Sequence, residues 1–319
     1  MINKQRKIGI IGCGQVGMSY AFTLLQNGLC DELVLIDPDR HRIEGEAEDL
    51  RHGLCFLDRV THVYAGDYSD LGDADIVMIA AGAAQKPNED RMALLERNSA
   101  ILEEIIPKIV HSNFNGIYLI ATNPVDIMAR LTKTLSGAPN HRVIGSGTIL
   151  DTGRLRYLMG SFFHVDPKNV HAYVLGEHGE SEFIPFSQAT VATKHVFDIC
   201  RQNPMRFPLS GLAEMETQTR SAAGNIISAK GATCYGIATA LGRLTDAIFC
   251  DDQSIFTVSC ELHGEYNWEN VYIGVPAIIG KNGVREIITL SLTEEEQEKF
   301  NRSAAYLNSM FGQICPHWV

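Results

Sequence analysis

Along the first half of the chain, short and nearly uniformly apolar runs alternate with longer stretches whose apolar residues return every three to four positions. The runs Lys7–Ile11, Glu32–Ile36, His62–Tyr64, Asp75–Ala80, Gly116–Ile120 and Arg142–Ile144 predict strands. Several lack polar alternation, as expected of strands covered on both faces. Val16–Asn27, Arg42–Arg51 and Asp90–His111 predict helices between them. Such strand–helix alternation implies βαβ units and a parallel sheet.

Near residue 145 the pattern changes. A helix over Thr148–Gly160 precedes strand-like Val170–Leu175 and Phe183–Ala189, and one long helical stretch covers Leu212–Cys250. Ser254–Leu262 and Val271–Ile279 read as a hairpin, and Thr293-Glu294-Glu295-Glu296 forms a capping box that opens a last helix. The expected class is α/β: an N-terminal Rossmann-type doubly wound parallel sheet over residues 1–145, then a C-terminal α+β domain over 146–319.

Composition narrows the partners. With 45% apolar and 20% charged residues and a formal net charge of -11, the 319-residue chain reads as globular and is a poor ligand for nucleic acid or anionic membrane. Neither a signal-type apolar segment nor a membrane-length run occurs, so a cytoplasmic protein is expected. Cysteines at 13, 30, 55, 200, 234, 250, 260 and 315 show no metal-ligand spacing. Free buried thiols and no metal site are expected.

Gly12-Cys13-Gly14-Gln15-Val16-Gly17 is G-x-G-x-x-G between a predicted strand and helix. Gly12 permits a tight turn, Gly14 admits a pyrophosphate, and Gly17 allows close helix–strand packing. Alone, the spacing also fits any glycine-rich turn. Asp37, twenty residues beyond Gly17 at the end of the second strand, supplies the carboxylate that binds a ribose 2′-hydroxyl and repels a 2′-phosphate. NAD is therefore expected rather than NADP, with Arg40 and Arg42 read as exposed arginines at a helix start. Gln15 and Val16 inside the turn, and Gly82 after the fourth strand, belong to the same cofactor set. Asn123, in Ala121-Thr122-Asn123-Pro124, follows the fifth strand and suits either the nicotinamide ribose or a substrate, although Asn-Pro alone is also a turn.

Reduction of a 2-oxo acid with such a cofactor needs a proton donor, a cation at the carbonyl and an anchor for the carboxylate. Among eleven histidines, His178 stands out in its glycine-bracketed loop, Gly176-Glu177-His178-Gly179. Imidazole exchanges protons near neutrality. Asp151 and Arg154 share one face of a predicted helix. Asp151 suits orienting the imidazole, and Arg154 suits a two-point fork on a carboxylate, although the spacing equally fits a surface ion pair. Arg91 ends a loop that follows the fourth strand. A closing Gly82–Leu95 lid would bring it to the carbonyl oxygen; otherwise it is a solvated arginine at a helix start.

Together KIGIIGCGQVG, LVLID, EAEDLRHG, AGAAQKPNEDR, ATNPVD, GSGTILDTGRLR, GEHGES, AKGATCYGIA and VYIGVPAIIG resemble the L-lactate/malate dehydrogenase family nearly end to end. The resemblance implies that His178 is the acid/base, Asp151 its orienting carboxylate, Arg91 the carbonyl polariser and Arg154 the carboxylate anchor. It assigns Gly12, Gly14, Gly17, Asp37 and Asn123 to NAD. Gln85 stands where malate enzymes carry arginine, and Thr233 where the pocket meets the substrate methyl, which implies pyruvate and L-lactate as substrates. Arg156 and His171 match effector-binding positions of members activated by fructose 1,6-bisphosphate, and a homotetramer is implied. Glu180 replaces the usual aspartate, and Asn88 a usual glycine. The alternatives are a dehydrogenase for malate or for branched 2-hydroxy acids such as 2-hydroxyisocaproate, and a catalytically silent NAD-binding protein. The intact set Arg91, Asp151, Arg154 and His178 argues against the last.

Overall fold

The computed structural model describes residues 5–83 and 91–314. Six strands, β1 (Lys7–Ile11), β2 (Glu32–Ile36), β3 (His62–Ala65), β4 (Ile76–Ile79), β5 (Ile117–Ile120) and β6 (Val143–Gly145), pair in parallel in the order β3-β2-β1-β4-β5-β6. Helices α1 (Gln15–Gln26), α2 (Arg40–Gly53), α3 (Arg91–His111) and α4 (Val125–Ser136) make the crossovers. Every residue of β1, β4 and β5 is buried. The apolarity of β4, β5 and the part of β1 after Lys7 is therefore the signature of a sheet covered on both faces. The strand order reverses between β1 and β4, which opens a crevice at their carboxyl ends.

The rest comprises α5 (Ile149–Phe163), β7 (Val170–His171), β8 (Thr190–Val191), β9 (Lys194–His195), α6 (Val196–Gln202), α7 (Ser210–Lys230), α8 (Tyr235–Cys250), β10 (Ser254–His263), β11 (Glu269–Gly280), β12 (Gly283–Ile287) and α9 (Glu294–Ile314). Strands β10 to β12 form an antiparallel meander that joins β6 where Ser259 faces Gly145, giving nine strands in one sheet among the described residues. A Cβ on Gly145 would stand 2.8 Å from that of Ser259, so glycine is what permits the seam. The small antiparallel sheet β7-β8-β9 accompanies a second core containing Leu155, Met159, Val170, Val174, Leu212 and Met215.

Several expectations need correction. The stretch 212–250 is two helices, because Gly231 ends α7 in the left-handed region (φ 89°) and the helix restarts only at Tyr235. Residues 183–189 are no strand: Pro185 lacks an N–H, so the segment makes a single bridge, Leu175 to Phe183, and then turns. The strand expected over 170–175 shrinks to β7. Helix α4, whose amphipathic pattern follows Asn-Pro directly, was not anticipated. The reciprocal bonds of Thr293 and Glu296 do open α9. Cys55 and Cys250 are exposed rather than buried, since they lie where helices run out to solvent. Among the described residues, no helix is long and apolar enough to cross a membrane.

Candidate active site

The glycine turn links β1 to α1 at the strand-order reversal. Gly12 has φ 91°, and a Cβ there would lie 2.3 Å from the Ala81 nitrogen; one on Gly17 would lie 2.1 Å from the Gly12 carbonyl oxygen. A Cβ on Gly14, by contrast, would meet nothing within 4 Å. Two glycines thus allow backbone contact inside the protein, while the third leaves space for a ligand. Gln15 is exposed and Val16 half-buried at the start of α1.

Asp37 is bound into this turn. Its Oδ2 accepts from the Cys13 N–H at 2.9 Å and pairs with Arg42 Nη2 at 2.9 Å, and Oδ1 accepts from the Asp39 N–H at 3.1 Å. Burial works against the charge, yet these donors hold the carboxyl below its ordinary range. Arg42 also donates to the Cys13 carbonyl, and Arg40 to the carbonyls of Ala65 and Gly66 at 2.8 and 3.0 Å. Both arginines sit at the start of α2 with exposed surface, as expected, and β3 and the glycine turn bring carbonyl acceptors within their reach. A cleft of about 830 Å³ runs along Gly12, Gly14, Asp37, Tyr68, Gly82 and Lys108. Its volume, its open glycine and its terminal carboxylate fit a dinucleotide. Replacing Gly14 with valine should leave the melting temperature within a few degrees of the parent while weakening NADH binding at least about tenfold, roughly 1.4 kcal/mol, by fluorescence titration.

His178 lies over the start of α4, at the carboxyl edge of the same sheet. Its Nδ1 is 2.6 Å from Asp151 Oδ2, and Arg154 Nη1 is 2.6 Å from Asp151 Oδ1. Asp151 is 1% exposed, whereas the His178 side chain keeps a quarter of its surface open. Asp151 raises the His178 pKa to about 9 against the opposing effect of burial, and Glu182 and Asp126 add to the rise. The Asp151 carboxyl is held low: burial opposes its charge, but the imidazole and Arg154 outweigh that cost. The bonded Nδ1 leaves Nε2 as the nitrogen for proton exchange.

Two residues of this framework were missed by sequence reasoning. Asp126 Oδ2 accepts from the His178 N–H at 2.9 Å and so fixes the loop backbone. Burial pushes its carboxyl up to about 6. Asn98 Oδ1 accepts from the Ala83 N–H at 2.8 Å, while its Nδ2 donates to the Asn123 carbonyl at 2.7 Å, tying together the segments after β4 and β5. Asn98 and Ser99, two polar residues inside the apolar periodicity of α3 and both buried, are a readable signal. The acid two residues after Asn-Pro is another.

Other sequence-derived positions are less connected. Asn123 is exposed beside a cis peptide bond to Pro124, and Gly82 is exposed after β4. Thr233 is half-buried in the break between α7 and α8, and no hydrogen bond joins it to His178, Asp151 or Arg154 among the described residues. Arg156 Nε donates to the Ala172 carbonyl at 3.1 Å, which brings it near the exposed His171. Glu180 is exposed. Gln85, Asn88 and the side chain of Arg91 lie outside the described residues.

A doubly wound sheet with a dinucleotide cleft, and an acid–imidazole pair at the same edge, is the architecture of a nicotinamide-dependent oxidoreductase. The chain belongs to the lactate/malate dehydrogenase family: residues 6–145 match that family's NAD binding domain and residues 148–315 its alpha/beta C-terminal domain. Its cofactor is accordingly NAD. It is 50% identical over 309 residues to the L-lactate dehydrogenase of Priestia megaterium, covering 95% of both chains. It superimposes with TM-score 0.94 on a lactate dehydrogenase from a Medee basin deep-sea metagenome library (44% identity; 98% of this chain and 99% of that one). The TM-score is also 0.94 with the ligand-bound minor L-lactate dehydrogenase of Enterococcus mundtii (39% identity; 97% and 98% covered).

Proposed function

We propose that this chain interconverts pyruvate and L-lactate, with His178 as acid/base. The observation that carries the reading is the line Arg154–Asp151–His178, with both contacts at 2.6 Å. The names of its relatives support the substrate. Bound NAD supplies or takes up the electron pair. Asp151 keeps the imidazole oriented and cationic, so that Nε2 gives its proton to the substrate oxygen as that oxygen gains charge. Arg154, partly buried, holds the substrate carboxylate, and Arg91 stabilises the developing alkoxide. Residues 1–145 bind the cofactor, and residues 146–319 carry most of the acid/base and anchoring groups.

The neutral Gln85 supports pyruvate over oxaloacetate, because a second buried carboxylate without a cation costs several kcal/mol. The assay is loss of NADH absorbance with pyruvate, oxaloacetate or 2-oxoisocaproate at equal concentration. Fastest turnover of pyruvate is expected, and no turnover of any of the three would overturn the reading. Arg154→Lys should raise the pyruvate KM by about 100-fold, close to 3 kcal/mol, since an ammonium lacks the planar fork; steady-state kinetics measure it.

Regulation and assembly extend the proposal. Arg156 and His171 bind fructose 1,6-bisphosphate at a subunit interface of a homotetramer, supported by their proximity on α5 and β7. A rate that stays flat with added effector, at subsaturating pyruvate and dilute enzyme, would remove this part. A cytoplasmic location goes with the reading, supported by the free thiols of all the described cysteines.

A further inference from the structure

Glu182, four residues beyond His178, has no part in the mechanism above. It is 5% exposed. Backbone contacts place it: its N–H reaches the Gly179 carbonyl at 3.4 Å, and its own carbonyl accepts from Arg220 Nη2 at 3.0 Å. A carboxylate oxygen of Glu182 lies within 4.8 Å of ligand atoms on both Asp151 and His178. Both Asp151 oxygens are engaged, by His178 and by Arg154, so the trio is not laid out to receive a cation. A buried carboxyl beside an acid–imidazole pair acts through its charge.

We propose that Glu182 is a positioning residue for the catalytic proton: once ionised, it holds the imidazolium form of His178 to higher pH. The inference rests on His178 being the acid/base. The groups facing this site are Asp151 and Arg154 from α5, Asp126 from α4, Arg220 from α7, and Glu177 and His178 on the loop itself. Burial, and then Asp151, push the Glu182 carboxyl up to about 8, against the pull of His178, Arg154 and Arg220. His178 keeps its proton to about 9. An ionised Glu182 carboxylate within 4.8 Å of the Asp151–His178 pair opposes departure of the imidazole proton.

The test is the pH profile of kcat/KM in both directions for the parent enzyme and for Glu182→Gln, Glu182→Ser and Glu182→Asp. Pyruvate reduction requires the imidazolium and has an alkaline limb; lactate oxidation requires neutral imidazole and has an acid limb. Each neutral variant should move both limbs to lower pH by about one unit, a tenfold change in rate at a fixed pH on the limb. Glu182→Asp should bring both back toward the parent. The serine variant is small enough to fold should glutamine crowd the site. Limbs that stay in place, a loss equal at every pH, or an aspartate profile that follows glutamine would overturn the proposal. A parent enzyme that never oxidises NADH with pyruvate would instead overturn the acid/base reading beneath it.

Discussion

His178→Asn should lower kcat for pyruvate reduction by about 10³-fold, within the 10²–10⁴ that a positioned acid/base contributes. Asparagine is close in size and can still donate to Asp151, so the loop keeps its Asp126 bond and NADH binding should be retained. Stopped-flow absorbance with saturating NADH measures the chemical step, and fluorescence titration measures cofactor affinity. Turnover within tenfold of the parent would remove His178 from its role. Loss of cofactor binding together with turnover would point to a damaged fold.

Asp151→Asn should have the second largest effect, about 10²-fold or more on kcat/KM for pyruvate, together with a displaced pH profile. In the parent, Asp151 is the principal cause of the raised His178 pKa, so the proton is present below about pH 9 and reduction declines above it. Without that charge the alkaline limb should fall toward the ordinary imidazole value near 6.5. The sign for folding is the same. Stability from the raised imidazole pKa is complete below about 6.5 and is lost as pH rises through about 9. The lowered Asp151 carboxyl contributes above about pH 4, and that contribution is lost as pH falls further. Thermal melts of parent and variant between about pH 5 and 10 should therefore differ most on the acid side of 6.5, well above the carboxylate range. An unmoved alkaline limb would exclude Asp151 as the group that holds the proton.

Much of the fold was legible. Strands β4 and β5, and β1 after Lys7, announce themselves as unbroken apolar runs, because a strand covered on both faces has no solvent side to mark with polar residues. Gly12 and Gly17 are equally readable, since a left-handed turn and a close backbone approach each exclude a side chain. The break at Gly231 escaped notice because an isolated glycine inside helical periodicity can either be tolerated or end the helix, and the periodicity alone does not say which. Residues 183–189 misled because phenylalanine and isoleucine imitate a strand until Pro185 removes its donor.

The catalytic side chains could be named from their chemistry, but their surroundings could not. Periodicity and turn chemistry are local properties, carried by residues a few positions apart, so the amino-acid order alone determined the doubly wound sheet, the cofactor turn, and His178, Asp151 and Arg154 as candidates. Only the folded chain decided that Arg42 pairs with Asp37, that Asn98 ties the segments after β4 and β5, and that Asp126 and Glu182 flank the imidazole. Some of these partners, such as Asp126 and His178, are separated by tens of residues, and even the near ones meet only because the chain turns back there. Burial in a shared core sets their distances and their proton affinities, and no spacing rule along the chain encodes that.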